Sequence, residues 1–384
     1  EKAPVGIVPY IEIGNVDIET KRISFTDKSA VRGSIFSPEN SILISRVRPT
    51  RGAVIFLDRK VAVSSAFTII KPKQGFDSKL LFYFLAWNKK LFAYLGSKQK
   101  GTNYPSVRES DILDFEIDFP ENPAEQQKIV YVLDSIQEAV ELQEKIIEKT
   151  KELKKSMIAD LFKYGGPSFR KGRKLKKTEI GEIPKDWEVR KLVEVAEKIN
   201  AGGTPATDKE EFWNGQIPFA LIEDLVNSRK YLEKTKVSIT QKGLENSSSW
   251  IVPTNSVILS LYATVGKPII NKVDVAITQN MLGIIPKPKL IYLEYLFYAL
   301  ENSRNNLWRF IDISVHKHIT ATQAKKIPIP LPSLPEQHEI AEILQTIDQK
   351  IEIEEKKKVL YEELFKTMLN KLMSGEIDVE NINF

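Results

Sequence analysis

The sequence of 384 residues lacks cysteine altogether and has only three histidines. The absence of cysteine excludes disulfides, thiolate nucleophiles and cysteine–zinc sites, and so few histidines leave little room for a histidine metal site. No apolar run approaches the roughly 18 residues needed to span a bilayer, and nothing resembles a secretory signal. We therefore expect a cytoplasmic protein that binds no metal.

The motifs of common catalytic sites are missing as well. The sequence has no glycine-rich phosphate loop followed by Lys-Ser/Thr, no His-Glu-x-x-His and no Gly-x-Ser-x-Gly elbow. The run Gly202-Gly203-Thr204-Pro205 lacks the spacing of a nucleotide fingerprint. The run Asn103-Tyr104-Pro105 lacks the second proline and the aromatic placement of the Asn-Pro-Pro-Tyr tetrad of amino-methyltransferases. We expect a chain that performs no chemistry itself and binds no cofactor.

What the sequence does contain is a duplication, because its second half repeats its first about 210 residues later. The matched segments are Pro9-Tyr10-Ile11 with Pro218-Phe219-Ala220, residues 38–45 with 253–260, Val61-Ala62-Val63 with Val275-Ala276-Ile277, Leu81-Phe82-Tyr83 with Leu296-Phe297-Tyr298, and Glu125-Gln126 with Glu336-Gln337. The period is too long for a solenoid, so it predicts two similar domains and a pseudo-two-fold arrangement. The first repeat has no counterpart of residues 183–215 and the chain opens at Glu1, so we expect a first domain that is N-terminally incomplete or built differently.

Two long helices are predicted, one beginning after Asn122 and one after Ser333. Each of these residues is followed three positions later by glutamate, as in a capping box, and glycines at 165 and 375 mark the ends. Apolar residues at alternating steps of three and four form a coiled-coil seam in each helix. The seams are Leu133, Ile136, Val140, Ile147, Met157 and Leu161, and Leu344, Ile347, Ile351, Tyr361, Phe365, Met368 and Leu372. Because the seams correspond, we expect the helices to pair with each other, antiparallel.

The predicted fold class is therefore mixed α/β (α+β), with two similar domains separated by two long antiparallel coiled-coil helices. The predicted segments are a first domain at 1–121, a first spacer helix at 122–164, a basic linker at 165–180, a second domain at 181–332, and a second spacer helix with its tail at 333–384. Six of the eight residues at 170–177 are lysine or arginine, and such a run touches phosphate or is simply solvated.

Polar loops at corresponding places in the two repeats are the candidate binding sites. The net charge of +5 permits an anionic partner, and the arginine fork matches guanine O6 and N7 as well as phosphate. The candidates in the first repeat are Arg46, Arg48, Arg51, Lys98, Lys100, Asn103 and Tyr104. Those in the second are Tyr262, Thr264, Lys267, His316, Lys317 and His318. A similar frame with different loop tips is what two readers of two different DNA sequences would need.

A second apolar edge on the first helix exceeds what a two-position seam requires. Its residues are Ile129, Val132, Ala139, Ile146 and Leu153. This edge can pack on the globular domains or on a partner protein.

Taken together, these features resemble the specificity (S) subunit of type I restriction–modification enzymes along nearly the whole chain. The residues that carry the resemblance are Ile183-Pro184-Lys185-Asp186-Trp187, Gly202-Gly203-Thr204-Pro205, residues 212–219, Ser45-Arg46-Val47-Arg48-Pro49, and the Pro-Leu-Pro-Ser-Leu-Pro-Glu-Gln run at 330–337. The resemblance implies two target-recognition domains, each reading one half of a split double-stranded DNA target, with the helices as a spacer. It also implies two methylation (M) subunits that use S-adenosylmethionine to methylate adenine, and restriction (R) subunits that use ATP and Mg.

Two other functions fit parts of the pattern. A coiled-coil scaffold could hold proteins together without reading DNA sequence. An enzyme could bind DNA and modify it unaided, although the missing cofactor motifs argue against it.

Overall fold

The computed structural model describes residues 7–24, 26–29, 34–304, 307 and 318–379. The chain divides into two compact units. Residues 1–145 and 355–384 form the first unit, and residues 146–354 form the second unit. Each unit thus combines a sheet-rich domain with the beginning of one long helix and the end of the other.

The first unit contains two small sheets. The first has the strand order β2-β1-β6-β3, formed by β1 (Ile7–Ile11), β2 (Thr26–Ser29), β3 (Ile35–Ser37) and β6 (Val61–Val63). The second has the order β5-β4-β7, formed by β4 (Ser41–Ser45), β5 (Val54–Leu57) and β7 (Phe67–Ile70). Strand β4 is buried throughout, as its run of apolar β-formers predicts.

The second unit repeats both sheets and enlarges the second one. The first has the order β14-β12-β18-β15, from β12 (Trp213–Ala220), β14 (Val237–Ile239), β15 (Ile251–Val252) and β18 (Val275–Ile277). The second has the order β11-β19-β16-β17-β13, from β11 (Ala196–Ala201), β13 (Tyr231–Leu232), β16 (Val257–Ser260), β17 (Pro268–Asn271) and β19 (Met281–Pro286). Strands β11 and β13 have no counterpart among the strands described in the first unit.

Two further strand pairs complete the second unit. They are the hairpin of β8 (Leu175–Thr178) with β9 (Gly181–Pro184), and β10 (Glu188–Lys191) with β20 (Pro328–Leu331). The hairpin includes part of the segment predicted as a linker, so residues 175–178 belong to folded structure. The arginines of this segment form ion pairs within the second unit, Arg170 with Asp160 and Arg173 with both Asp186 and Glu336.

The helices account for half of the remaining described residues. In the first unit these are α1 (Ser78–Ala86), α2 (Lys89–Lys98) and α3 (Glu109–Leu113), and in the second α5 (Leu192–Val195), α6 (Ile222–Asn227), α7 (Gln241–Glu245), α8 (Leu293–Arg304) and α9 (Ala321–Ala324). The two long helices, α4 (Pro123–Tyr164) and α10 (Leu334–Met373), are continuous and belong to both units. Gly165 and Gly375 follow them with left-handed φ values of 84° and 69°, which confirms the predicted ends.

The long helices pack against each other in antiparallel register, as their seams predict. In the first unit Lys358 Nζ lies 2.9 Å from Glu144 Oε1, and in the second Lys154 Nζ lies 2.9 Å from Asp348 Oδ1. The contact thus advances along α4 as it moves back along α10. All the predicted seam residues are buried or half-buried.

A buried glutamine joins the first turn of each long helix to its own domain. Gln126 Nε2 donates to Pro120 O (2.8 Å) and Gly75 O (3.1 Å), and its Oε1 accepts from Asp77 N (2.7 Å). Gln337 makes the corresponding bonds in the second unit. Its Nε2 donates to Pro332 O (2.9 Å) and Leu290 O (3.0 Å), and its Oε1 accepts from Tyr292 N (2.8 Å). The duplicated Glu-Gln pair in the sequence therefore marks a structural junction.

Candidate nucleic-acid interface

The arginine loop of the first unit lies between β4 and β5. Pro49–Arg51 form a single 3₁₀ turn, bounded by Arg48 and Gly52 with left-handed φ values of 48° and 72°. The buried hydroxyl of Ser45 donates to Val47 O at 2.8 Å, which fixes the start of the loop. The loop is therefore held in one backbone shape, and its side chains have a defined base.

The structure brings this loop together with the second candidate loop of the first unit. Val107 N donates to Arg46 O (3.0 Å), and Arg48 N donates to Pro105 O (2.7 Å). The Arg48 guanidinium lies 5.2 Å from the centre of the Tyr104 ring and donates through Nη2 to Asn103 O at 3.2 Å. Two loops more than fifty residues apart in sequence thus form one surface, which we call the first loop surface (residues 46–52 and 98–106).

The side chains of this surface differ in their exposure to solvent. Tyr104 is 74% exposed. The other exposed candidates are Arg51, Lys98, Lys100 and Asn103. Arg46 and Arg48 are half-buried, and Arg46 Nη2 donates to the carbonyl of Ser65. The exposed cations, the amide and the aromatic ring are suited to phosphate and base contacts.

A buried lysine, Lys21, supports the arginine loop by a hydrogen bond to the loop backbone. Lys21 is 9% exposed, and its Nζ donates to Gly52 O (2.7 Å) and Ile18 O (2.6 Å). Burial lowers the pKa of Lys21 to about 8. The sequence analysis did not identify Lys21, because its contact with Gly52 spans 31 positions and no local sequence pattern indicates such a contact.

The corresponding loop of the second unit, between β16 and β17, has the same frame and a different tip. Ala263 and Gly266 have left-handed φ values of 60° and 75°. Tyr262 is 49% exposed, and the Thr264 hydroxyl lies 3.3 Å from Ser260 Oγ. Ile319 N donates to Leu261 O at 3.0 Å, which matches the bond from Val107 to Arg46 in the first unit.

The remaining predicted site residues of the second unit are Lys267 and residues 316–318. Lys267 Nζ donates to Ser228 O (2.8 Å) and Val226 O (3.0 Å), so its ammonium group faces the protein backbone, and burial lowers its pKa. Lys267 thus supports its loop, as Lys21 does in the first unit. His318 is half-buried beside the loop, whereas His316 and Lys317 lie outside the described residues. We call residues 261–267 with His318 the second loop surface.

Sequence reasoning also missed a third element at each surface, the turn that follows β6 or β18. Arg46 N donates to Ala66 O, and Leu261 N donates to Asn280 O, each at 2.9 Å. The turns differ in sequence, Ser64-Ser65-Ala66 against Thr278-Gln279-Asn280. Comparing the two repeats position by position would have revealed this difference.

Comparison with known proteins identifies the family. The family model described as "Type I restriction modification DNA specificity domain" matches residues 1–152 and 184–362. The chain belongs to this family. The MjaVIII specificity subunit of Methanocaldococcus jannaschii is 31% identical over 99% of this chain and 88% of that protein. The HindI specificity subunit of Haemophilus influenzae is 21% identical over 76% and 74%.

Solved structures agree on the fold. A chain from the type I R-M system, reported for its complex assembly and conformational transition, matches with a TM-score of 0.65 at 19% identity, over 97% of this chain and 93% of that one. The type I S subunit from M. genitalium matches with a TM-score of 0.55 at 16% identity, over 96% and 93%. The chain is a DNA specificity subunit of a type I restriction–modification system, where it is a non-catalytic part of the complex.

The specificity subunit also presents apolar side chains on its long helices. Of the second apolar edge, Ile129 is buried in the core of the first unit, Val132, Ala139 and Ile146 are half-buried, and Leu153 is 52% exposed. Exposed apolar residues outside that edge are Leu142, Val359, Leu360 and Leu364 in the first unit and Ile353 in the second. In the part of the chain that is described, no helix has the length and apolar character to cross a membrane.

Proposed function

We propose that this specificity subunit reads a two-part DNA target, with the first loop surface contacting one half-site and the second loop surface contacting the other. The observation that carries the proposal is the pairing of equivalent frames with different tips. The loops leave equivalent strands, β4 and β16, and are tied to equivalent neighbours. Two loops with the same backbone attachments would place different side chains at equivalent positions over DNA.

In the first unit, Arg48 with Tyr104 and Asn103 is the proposed reading cluster. The Tyr104 ring restrains the Arg48 guanidinium, so less side-chain entropy is lost when arginine forms hydrogen bonds with a guanine edge. Arg51, Lys98 and Lys100 are proposed phosphate contacts, which add affinity without sequence information. Arg46, bound to Ser65 O, is proposed to fix the turn next to the loop and to reach the DNA with its remaining donors.

In the second unit, Tyr262 and Thr264 are the proposed readers, with His316, Lys317 and His318 as further DNA contacts. The exposed ring of Tyr262 can contact a thymine methyl group, and a threonine hydroxyl can bond to any base edge. Lys267 is proposed to act through its loop, because its ammonium group is held by the carbonyls of residues 226 and 228.

The long helices are proposed to set the distance between the half-sites and to dock partner subunits. Two methylation subunits would bind the specificity subunit and bring S-adenosylmethionine for adenine methylation. Restriction subunits, which use ATP and Mg, would join them. The exposed apolar residues of α4 and α10, including Leu153 from the predicted edge, are the proposed docking positions.

A binding experiment tests the reading role of Arg48. The reconstituted complex would be titrated with target duplexes in which each base pair is changed in turn. For Arg48→Ala, discrimination at one position of the first half-site should fall about tenfold, since a bidentate base contact discriminates by roughly 1–3 kcal/mol. The second half-site should be read as before.

Arg59→Ala is the matched control. Arg59 follows the opposite end of β5 and is 63% exposed, so its loss removes the same charge away from the loop surface. If Arg48→Ala instead weakened binding equally at every position, and lowered the slope of log K against log salt by about one, Arg48 would be a phosphate contact. That result would contradict the proposed role.

A further inference from the structure

The segment Gly202–Pro205 lies directly against the turn after β18. Gly202 N donates to Met281 O (3.2 Å), and Gly203 N donates to Ile277 O (3.0 Å). A Cβ atom at position 202 would lie 2.0 Å from Ile277 O, and one at position 203 would lie 2.7 Å from the backbone of Ser248. Neither glycine can carry a side chain in this arrangement. The two glycines therefore serve a close approach of backbone to backbone.

This approach places Thr204 beside Gln279, and the Thr204 hydroxyl donates to Gln279 Oε1. The side chain of Gln279 is exposed at the tip of the turn, whereas Thr204 is half-buried and Pro205 is buried. One lone pair of Oε1 is used by Thr204, which leaves the second lone pair and the Nε2 group to serve a ligand. Holding a flexible amide in one orientation reduces the entropy cost of binding.

Gln279 also lies beside the second loop surface. Leu261, the residue before Tyr262, donates its N–H to Asn280 O at 2.9 Å, and Asn280 is the neighbour of Gln279. The equivalent position in the first unit is Ser65, whose carbonyl binds Arg46. The turn thus carries a long amide in one unit, and in the other a short side chain next to an arginine. The two turns therefore make corresponding backbone contacts and differ in their side chains, as the candidate loops do.

We propose that Gln279 is a specificity-determining residue of the second unit that reads adenine, and that Thr204 is its positioning residue. A glutamine amide pairs with the adenine edge in the major groove through Nε2 to N7 and Oε1 from N6. The second lone pair of Oε1 accepts from N6 while Thr204 keeps the first. The inference rests on the proposed function, because it requires that the second loop surface faces DNA.

The test uses the reconstituted complex and duplexes that carry each of the four base pairs at every position of both half-sites. In Gln279→Ala, the preference for adenine at one position of the second half-site should fall about tenfold. Gln279→Glu should shift the preference there towards cytosine, because a carboxylate accepts from cytosine N4. Thr204→Val, which keeps the shape and removes the hydroxyl, should weaken discrimination at that same position and at no other.

Gln241→Ala is the matched control, since Gln241 is an exposed glutamine of the same unit whose amide bonds to Glu245. It should leave every preference unchanged, and unaltered reading of the first half-site shows that each variant is folded. Unchanged discrimination in Gln279→Ala, or equal loss at all positions, would overturn the inference while leaving the proposed function standing. If the unmodified complex itself shows no sequence preference, the proposed function fails and the inference fails with it.

Discussion

Lys21 and Lys230 have the same offset in sequence as the matched Pro9 and Pro218, and both are buried among aromatic rings. They are 9% and 8% exposed. Lys21 Nζ lies 5.7 Å from the ring centres of Trp87 and Phe92, and Lys230 Nζ lies 4.6 Å from that of Tyr298 and 3.2 Å from its hydroxyl. Burial lowers the pKa of each lysine to about 8, although Asp348 and Glu294 oppose this for Lys230.

From the lowered pKa values of these lysines, we predict that the protein becomes more stable as the pH rises from about 7.5 to 9.5. The unfolded chain holds these protons up to a pKa near 10.5, so between the two pKa values the unfolded state binds more protons and folding is favoured by proton loss. Lys230→Met should raise the free energy of unfolding at pH 7 by about 1–3 kcal/mol and flatten the rise with pH. Urea denaturation at several pH values measures both effects.

Lys272→Met is the control for this prediction, because Lys272 is an exposed lysine that lies 4.5 Å from the Tyr231 ring in the same region. Its pH profile should match that of the unmodified chain. The measurements should stop near pH 9.5, since the raised pKa values of Tyr83 and Tyr298, caused mainly by burial, favour unfolding at higher pH. A Lys230→Met profile parallel to that of the unmodified chain would contradict the account.

At the scale of elements, the buried glutamines fix how each long helix leaves its domain. Gln126→Leu should destabilise the protein by about 2–4 kcal/mol, because it leaves Asp77 N and two carbonyl groups without their partner. Gln127→Leu changes the exposed neighbour in the same helical turn and should cost far less. Thermal unfolding distinguishes them, and equal losses in the two variants would show that Gln126 is not the junction.

The elements also show what the sequence could and could not predict. The long helices, their glycine ends and strands β4 to β7 follow local signals, because caps, periodicity and β-branched runs act over a few residues. Glu336 was expected to complete a capping box, yet it is buried, where it accepts from Trp187 Nε1 at 3.0 Å and pairs with Arg173. Contacts of this kind join residues about 150 positions apart, so no local pattern contains them.

The same limit applies to the candidate site. The loops that carry the proposed base-contacting residues were found by comparing the repeats. The inward orientation of Lys267, the support from Lys21 and the pairing of Thr204 with Gln279 each depend on which elements meet in the folded unit. The basic run at 170–177 is a further example, since both of its arginines form ion pairs within the second unit.

At the scale of the whole molecule, the long helices are proposed to determine the spacing between the half-sites. Inserting seven residues in each helix, between Lys145 and Ile146 and between Glu354 and Glu355, keeps the heptad phase of the seams where the chain passes between the units. Each helix would grow by about 10 Å. The target spacer should then lengthen by up to about three base pairs, at roughly 3.4 Å per pair.

Mapping methylated bases in the genome of cells that carry the complete system tests the central claim most directly, because it reports both half-sites and the spacer together. For the unmodified chain we predict a two-part motif with a fixed spacer of unspecified bases. For the chain with both insertions we predict the same two half-site sequences and a longer spacer. A single uninterrupted motif, or half-site sequences that change with helix length, would contradict the account.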